Sequence, residues 1–405
     1  MNQRELFLKH VAQTSPSPLG IEVARASGAR LFDTAGKSYI DLIGGISVCN
    51  MGHCHPAVVE AVKKQAERYL HVLVYGEFIQ SPQVQYAHLL AENLPPTLNS
   101  VYFTNSGAEA TEGAMKLAKR ATGRTQLIAF KNAYHGSTQG ALSIMGDEYW
   151  RNAFRPLLPD VLHLDYNSFD ALSFISGRTA AVIAETVQAE SGIHAPSPEW
   201  MQALRQRCND TGALLVLDEI QAGFGRTGTL WGFEQIGAHG EPPLKGDPCV
   251  PDILLLGKAL GGGMPLGAFI ADRALTGLLA ENPVLGHITT FGGHPVCCAA
   301  GMAAFGALLE EGWLSQVKAK EQLFRRLLTH PAIKAVRSYG LWMAVEFDSF
   351  DTNKKVIDAA LAEGVLTDWF LFAPQCLRIA PPLIIEETDI EAACHTIVKA
   401  IDAVT

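Results

Sequence analysis

The sequence predicts an α/β fold: a mostly parallel central sheet in a large domain, followed by a smaller α+β domain. Three observations predict it. From about residue 70 to 295, short apolar runs alternate with stretches of helical periodicity, the pattern of βαβ units. Residues able to do chemistry recur where those apolar runs stop, and in parallel sheets ligands gather at the carboxyl ends of strands. The 37 glycines among 405 residues suit the many tight strand–helix turns of such a sheet.

Composition bounds the rest. The chain is 48% hydrophobic and 18% charged, ordinary for a soluble globular protein and long enough for more than one domain. A net charge of −9 argues against nucleic acid or an anionic membrane as the main partner. The first ten residues are polar and mixed in charge, without the apolar core of a signal peptide. The most apolar later run, 297–309, is too short to span a bilayer and reads as a buried helix. The eight cysteines form no CxxC pair and read as thiols of a reducing, cytoplasmic compartment. Cys54 between His53 and His55 lacks a second ligand cluster, so no metal is expected.

In chain order, residues 1–30 form an N-terminal arm with room for one helix, and 29–43 read as a β-hairpin around Asp33-Thr34-Ala35-Gly36-Lys37. Pro56 suits the first turn of a helix over 56–69. Strands are expected at 100–103, 126–130, 180–184, 213–217 and 253–256, and helices at 83–93, 108–122 and 199–211. Residues 237–248, rich in Gly and Pro, read as a surface loop. A helical region over 296–328 breaks at Gly312, and strands at 333–337, 342–347 and 376–379 join helices at 353–362 and 387–403. The division is therefore 1–55 as the arm and part of a small domain, 56–295 as the large domain, and 296–405 as the C-terminal small domain.

The strand ends carry the chemistry. Lys258 stands just past the apolar run Ile253–Leu256, where desolvation lowers the pKa of an amine and frees it as a nucleophile. A lysine snorkelling out at a strand end is the plain alternative. Strand 100–103 runs into Ser106-Gly107-Ala108 at a helix start, an arrangement that offers backbone N–H groups to a phosphate or serves as an ordinary N-cap. Strand 126–130 leads to Tyr134, able to stack on a flat ring or to sit in the core. Strand 180–184 ends in Glu185, with Glu190 shortly after. Strand 213–217 ends in Asp218-Glu219-Ile220-Gln221, whose two adjacent carboxylates are costly there and suit a heteroaromatic nitrogen or a metal. No GxxxxGK[ST] accompanies them, which disfavours a P-loop enzyme, and no GxGxxG follows an early strand, which disfavours a nicotinamide dehydrogenase. Arg378, facing Pro381-Pro382, calls for a carboxylate. A phosphate cradle, an aromatic, an aspartate and a lysine at strand ends together form a coherent site for pyridoxal phosphate.

Over nearly its whole length the sequence resembles the class III (ω-) aminotransferases, acetylornithine and ornithine aminotransferases among them. The resemblance implies pyridoxal-phosphate fold type I, with 56–295 as the cofactor-binding domain. Ser106-Gly107-Ala108-Glu109-Ala110 is similar to the family's phosphate loop, and Tyr134-His135-Gly136 to its ring-stacking motif. Asp218-Glu219-Ile220-Gln221 resembles the segment whose Asp pairs with the pyridine nitrogen and whose Gln lies near the ring hydroxyl. Lys258 matches the lysine that carries the cofactor, and Glu185 falls among the cofactor-binding positions. Thr290, in His287-Ile288-Thr289-Thr290, matches the threonine that reaches the neighbouring subunit's cofactor phosphate, which implies a homodimer. Glu190 and Arg378 match a pair that switches between two substrates.

The implied reaction is ping-pong transamination between an amine or ω-amino acid and a 2-oxo acid, 2-oxoglutarate with glutamate. Aminomutase or decarboxylating chemistry and a non-catalytic binding protein are the alternatives. Two features depart from the family. Asp218 and Lys258 stand 40 residues apart, a spacing lengthened by the loop 237–248. Ser137 follows Tyr134-His135-Gly136, where acetylornithine and ornithine relatives carry an arginine for the far carboxylate of the donor.

Overall fold

The computed structural model describes residues 2–237 and 249–404, so the predicted surface loop lies, from residue 238 on, outside the described residues. The apolar runs form the strands expected of them. Seven strands build the large sheet, in the order Ser100–Thr104, Gly267–Ala271, Ile253–Leu256, Leu214–Asp218, Thr179–Glu185, Gln126–Phe130 and Val161–Leu164. All run the same way except Gly267–Ala271, which is antiparallel to both neighbours. That strand and the edge strand Val161–Leu164 are absent from the sequence reading. The side chains of Ile253–Leu256 are fully buried, each stabilising the sheet by about 2 kcal/mol on area grounds.

The helices follow local signals. Gly107–Thr122 starts at the N-cap Ser106, whose hydroxyl accepts from the Glu109 N–H, and ends at left-handed Gly123. Pro198–Thr211 carries Ser197 as its cap and proline in its first turn. The predicted long helical region is two helices, Pro295–Glu310 and Trp313–Leu327, broken at Gly312. Pro295–Glu310 is apolar nearly all round because it packs on both Pro56–Arg68 and Ser81–Glu92. Among the described residues no helix is long and apolar enough to cross a membrane.

Two smaller sheets complete the molecule. The predicted hairpin forms from Arg30–Asp33 and Ser38–Asp41, and the Asp33 carboxylate accepts from the N–H groups of Ala35 and Lys37 in its turn. Val365–Leu366 adds to this sheet in parallel, tying the first 45 residues to the last 45. An antiparallel sheet of Ala335–Ser338, Met343–Glu346, Cys376–Ile379 and Asp368–Trp369 carries Arg378 on a wholly buried strand. Helices Phe350–Ala362 and Glu387–Val404 pack together beside it.

Candidate active site

Parallel register brings the chemistry to one edge. Glu185 pairs with Asp218 across the strands Thr179–Glu185 and Leu214–Asp218, and Asp218 pairs with Leu255 on the next strand, three residues before Lys258. Side by side in the ladder, Glu185 and Asp218 point to the same face. A cavity of about 290 Å³ opens there, lined by Gly107, Ala108, Tyr134, Glu185, Asp218, Gln221 and Lys258 from the sequence reading, with Ser137 and Trp342 beside them. Trp342 comes from the turn before the antiparallel sheet's strand Met343–Glu346, so the cavity lies between the two sheets.

Lys258 has a backbone φ of 47°, a conformation costing a non-glycine residue on the order of 1–3 kcal/mol. Burial drives its amine below the ordinary lysine range, and the charge of Arg378 adds to this; Asp218, Glu190 and Glu185 oppose it. An amine so placed is closer to its neutral, nucleophilic form.

Asp218 is 5% exposed and fully engaged. Its Oδ1 accepts from the Ile220 N–H at 2.9 Å, and its Oδ2 lies 2.7 Å from Nδ1 of buried His135. Burial alone would lower the His135 pKa; the hydrogen bond to Asp218, with the charges of Asp218 and Glu185, raises it instead. His135 braces the aspartate, a role the sequence reading did not assign. Its signal was its place directly after Tyr134 in the loop that leaves a central strand. Glu185 accepts from the N–H groups of Tyr134 and Ala189, and burial, with the Asp218 charge adding, pushes its carboxyl up to about 7.

Glu190 and Arg378 form a buried two-pronged pair, with both Nη–Oε distances 2.9 Å. Arg378 also meets the Trp369 carbonyl and the Asp368 carboxylate, and stands over the Phe370 ring. Burial pushes the Glu190 carboxyl up, but the charge and hydrogen bonds of Arg378 outweigh it and hold it below the ordinary range. The pair reaches the cavity through Gln221, whose Nε2 is 3.5 Å from Glu190.

Besides Glu190 and Arg378, two further expected residues lie off the cavity wall. Ser106 is exposed, its hydroxyl engaged as the helix cap. Thr290 is exposed in the loop before Pro295–Glu310; its neighbour Thr289 accepts from the Asn105 side chain, which ties that loop to the Ser106 turn. His53 and His55 turn to different acids, Asp41 and Glu311, and among the described residues no cluster of three metal-ligating side chains occurs.

The cavity suits a flat phosphorylated ring. The Gly107–Thr122 helix points its N-terminus into it, where N–H groups await an anion. Gly136, at φ 126°, keeps the wall open, since a Cβ there would lie 2.6 Å from the Ala108 Cβ. The Gln221 Oε1 is buried without a hydrogen-bond partner among the described residues, an acceptor waiting for a donor.

Comparison with known proteins agrees. The family described as Aminotransferase class-III matches residues 11–401. Acetylornithine aminotransferase of Methanopyrus kandleri is 40% identical over 408 residues, covering 100% of both chains. That of Caldanaerobacter subterraneus is 37% identical over 387 residues, 92% of each chain. The solved ornithine aminotransferase of Toxoplasma gondii superposes with a TM-score of 0.89 at 29% identity, covering 100% of this chain and 96% of the other. The chain belongs to the class III aminotransferases, enzymes of fold type I that use pyridoxal 5′-phosphate.

Proposed function

We propose that the chain transfers an amino group from an amine or ω-amino acid donor to 2-oxoglutarate, giving glutamate, in two half-reactions on one site. The observation that carries this reading is the buried Glu190–Arg378 pair beside Lys258. A site that must accept both a donor and a 2-oxo acid needs a positive charge it can hide. With Glu190 in place, Arg378 is neutralised and the pocket tolerates an amine. With Glu190 turned aside, Arg378 is free to hold an α-carboxylate through two hydrogen bonds.

The bound cofactor supplies the electron sink for cleavage at the substrate carbon. Ser106, Gly107 and Ala108 would hold its phosphate at the helix N-terminus, and Tyr134 would lie against its ring. Glu185 and Gln221 would flank it, and Asp218, braced by His135, would keep the proton on its ring nitrogen. Lys258 would carry it, then as a free amine move the proton from the substrate carbon to the cofactor.

For the donor, the acetylornithine aminotransferases among the relatives suggest ω-amino acids. The Ser137 hydroxyl, 3.0 Å from that of Tyr134, brings no positive charge for a far carboxylate, so we infer a donor range wider than that one compound. We also propose a homodimer in which Thr290 completes the partner's phosphate site. Phe78, Ile79, Val284 and Phe291 are each exposed on this chain, Ile79 at 95%, and large apolar side chains left open in this way support it. The division at residues 55 and 295, and a cytoplasmic setting supported by the unbridged Cys208, Cys298 and Cys394, belong to the same reading.

The test is to incubate holoenzyme with 2-oxoglutarate and a panel of N-acetylornithine, ornithine, ω-amino acids and simple amines. Glutamate should form with at least one donor. Donor turnover that yields a rearranged or decarboxylated product without glutamate would favour the other chemistries. No turnover with any donor, despite bound cofactor, would favour a binding protein. Activity surviving in a demonstrably monomeric form would remove the role of Thr290.

A further inference from the structure

In the antiparallel sheet Asp368 stands directly across from Arg378, and Trp369 across from Leu377. Residues opposite each other in such a pair carry their side chains on one face. The Asp368 Oδ1 lies 2.9 Å from the Arg378 Nε. Two carboxylates therefore approach one guanidinium along different edges. Glu190 takes the Nη1–Nη2 edge, at 2.9 Å on each side, and Asp368 takes Nε. The residues after Asp368 complete the enclosure. The Trp369 carbonyl accepts from Nη2 at 2.9 Å, and the Phe370 ring centre lies 4.5 Å from the guanidinium carbon. The Leu371 N–H donates to the Glu190 Oε2 at 2.9 Å.

The two carboxylates differ in what they are free to do. Glu190 follows the large-sheet strand Thr179–Glu185, so turning it aside breaks a contact between the two sheets. Asp368 sits on the strand beside Arg378 and stays with it. Once Glu190 has turned, two Nη groups and the Leu371 N–H face one place, three donors that fit a carboxylate. An arginine with no other partner would then be a lone buried cation on a long side chain, costly and poorly aimed. Asp368, Trp369 and Phe370 hold it from behind. The charge of Asp368 favours neither occupant, since Glu190 and an incoming carboxylate feel it alike at the same place. What Asp368 supplies is direction. Burial pushes its carboxyl up to about 6 against the pull of Arg378, so near pH 8 it is ionised.

We propose, on the basis of the two-substrate reading of the site, that Asp368 is a positioning residue for the 2-oxo acid. It holds Arg378 by the Nε edge, so that both Nη groups stay aimed at the place of the Glu190 carboxylate when a substrate carboxylate takes it.

Asp368 lies on a two-residue edge strand with its side chain 26% exposed, so its truncation should spare the fold. Steady-state KM and kcat are measured on holoenzyme near pH 8 for 2-oxoglutarate and for a simple amine without a carboxylate. Asp368→Ala should raise the 2-oxoglutarate KM roughly tenfold through a misaimed guanidinium, with kcat, the amine KM and cofactor content within about twofold of wild type. Asp368→Asn keeps an oxygen toward Nε and should recover the KM to within about threefold. Because Asp368 acts through Arg378, Asp368→Ala should add no further rise in an Arg378→Ala background. Asp368→Ser, whose hydroxyl stops short of Nε, carries the same expectation should Asp368→Ala fail to fold. An unchanged 2-oxoglutarate KM, equal rises for both substrates, an asparagine variant as impaired as the alanine one, or a full further rise in the Arg378→Ala background would each overturn the proposal. Arg378→Ala with no effect on the 2-oxoglutarate KM would instead remove the switch itself, and this role of Asp368 with it.

Discussion

Replacing Asp218 by asparagine separates the electronic role of that residue from its structural one. The side chain keeps its size, and the Oδ1 that accepts from the Ile220 N–H is retained, so the strand end should hold. The variant loses the negative charge in a site where the carboxylate is only 5% exposed. It also releases His135, whose pKa is held up by that carboxylate against burial; the imidazole should become neutral. Loss of one preorganised electrostatic partner in a water-poor site costs about 3–4 kcal/mol of transition-state stabilisation, or roughly 100- to 1000-fold in kcat. The assay is single-turnover reaction with glutamate and, separately, with the best donor, each rate set against cofactor content from visible absorbance and borohydride trapping at Lys258. Both half-reactions should slow by similar factors with the cofactor still bound. Turnover within about threefold of wild type would refute the reasoning, and so would a loss explained entirely by missing cofactor.

Other perturbations reach different parts of the site. Arg378→Ala should raise the KM for 2-oxoglutarate on the order of 100-fold, the usual consequence of removing one partner of a buried two-pronged contact, and leave the donor KM within about threefold; equal effects on both would remove the switch. Gly136→Ala forces a side chain into a φ of 126° and against Ala108, and should cost on the order of 3 kcal/mol in denaturant unfolding while lowering cofactor content. The Asp41–His53 bond raises the histidine pKa from 6.5 to about 10, so its contribution to stability is complete below about pH 6.5 and is lost as pH rises through about 10. The gap in Tm between wild type and His53→Gln should therefore be widest near pH 6 and close toward pH 10, and a gap constant with pH would contradict the pairing.

Most of the sheet could be read because its central strands are buried on both faces, and so appear as unbroken apolar runs such as Ile253–Leu256 and Leu214–Leu217. The two strands that escaped have physical reasons. Gly267–Ala271 is small-residue rich, with glycine at its start, and its antiparallel direction is a property of pairing that no local pattern carries. Val161–Leu164 is an edge strand interrupted by His163. In the site, Lys258, Asp218 and Glu185 stood out because each ends such a run. His135 did not, because its partner Asp218 is 83 residues away and only the parallel ladder brings them within 2.7 Å. The Glu190–Arg378 contact likewise spans 188 residues; only the resemblance pointed to it, and its burial came from the structure.

The most direct test of the account separates the two halves of the reaction. Holoenzyme is mixed with glutamate alone, with no acceptor present, and then passed to a second 2-oxo acid. The account predicts release of about one equivalent of 2-oxoglutarate per site in the first step, with the amino group kept on the enzyme and delivered in the second. No 2-oxoglutarate until both substrates are present would contradict it.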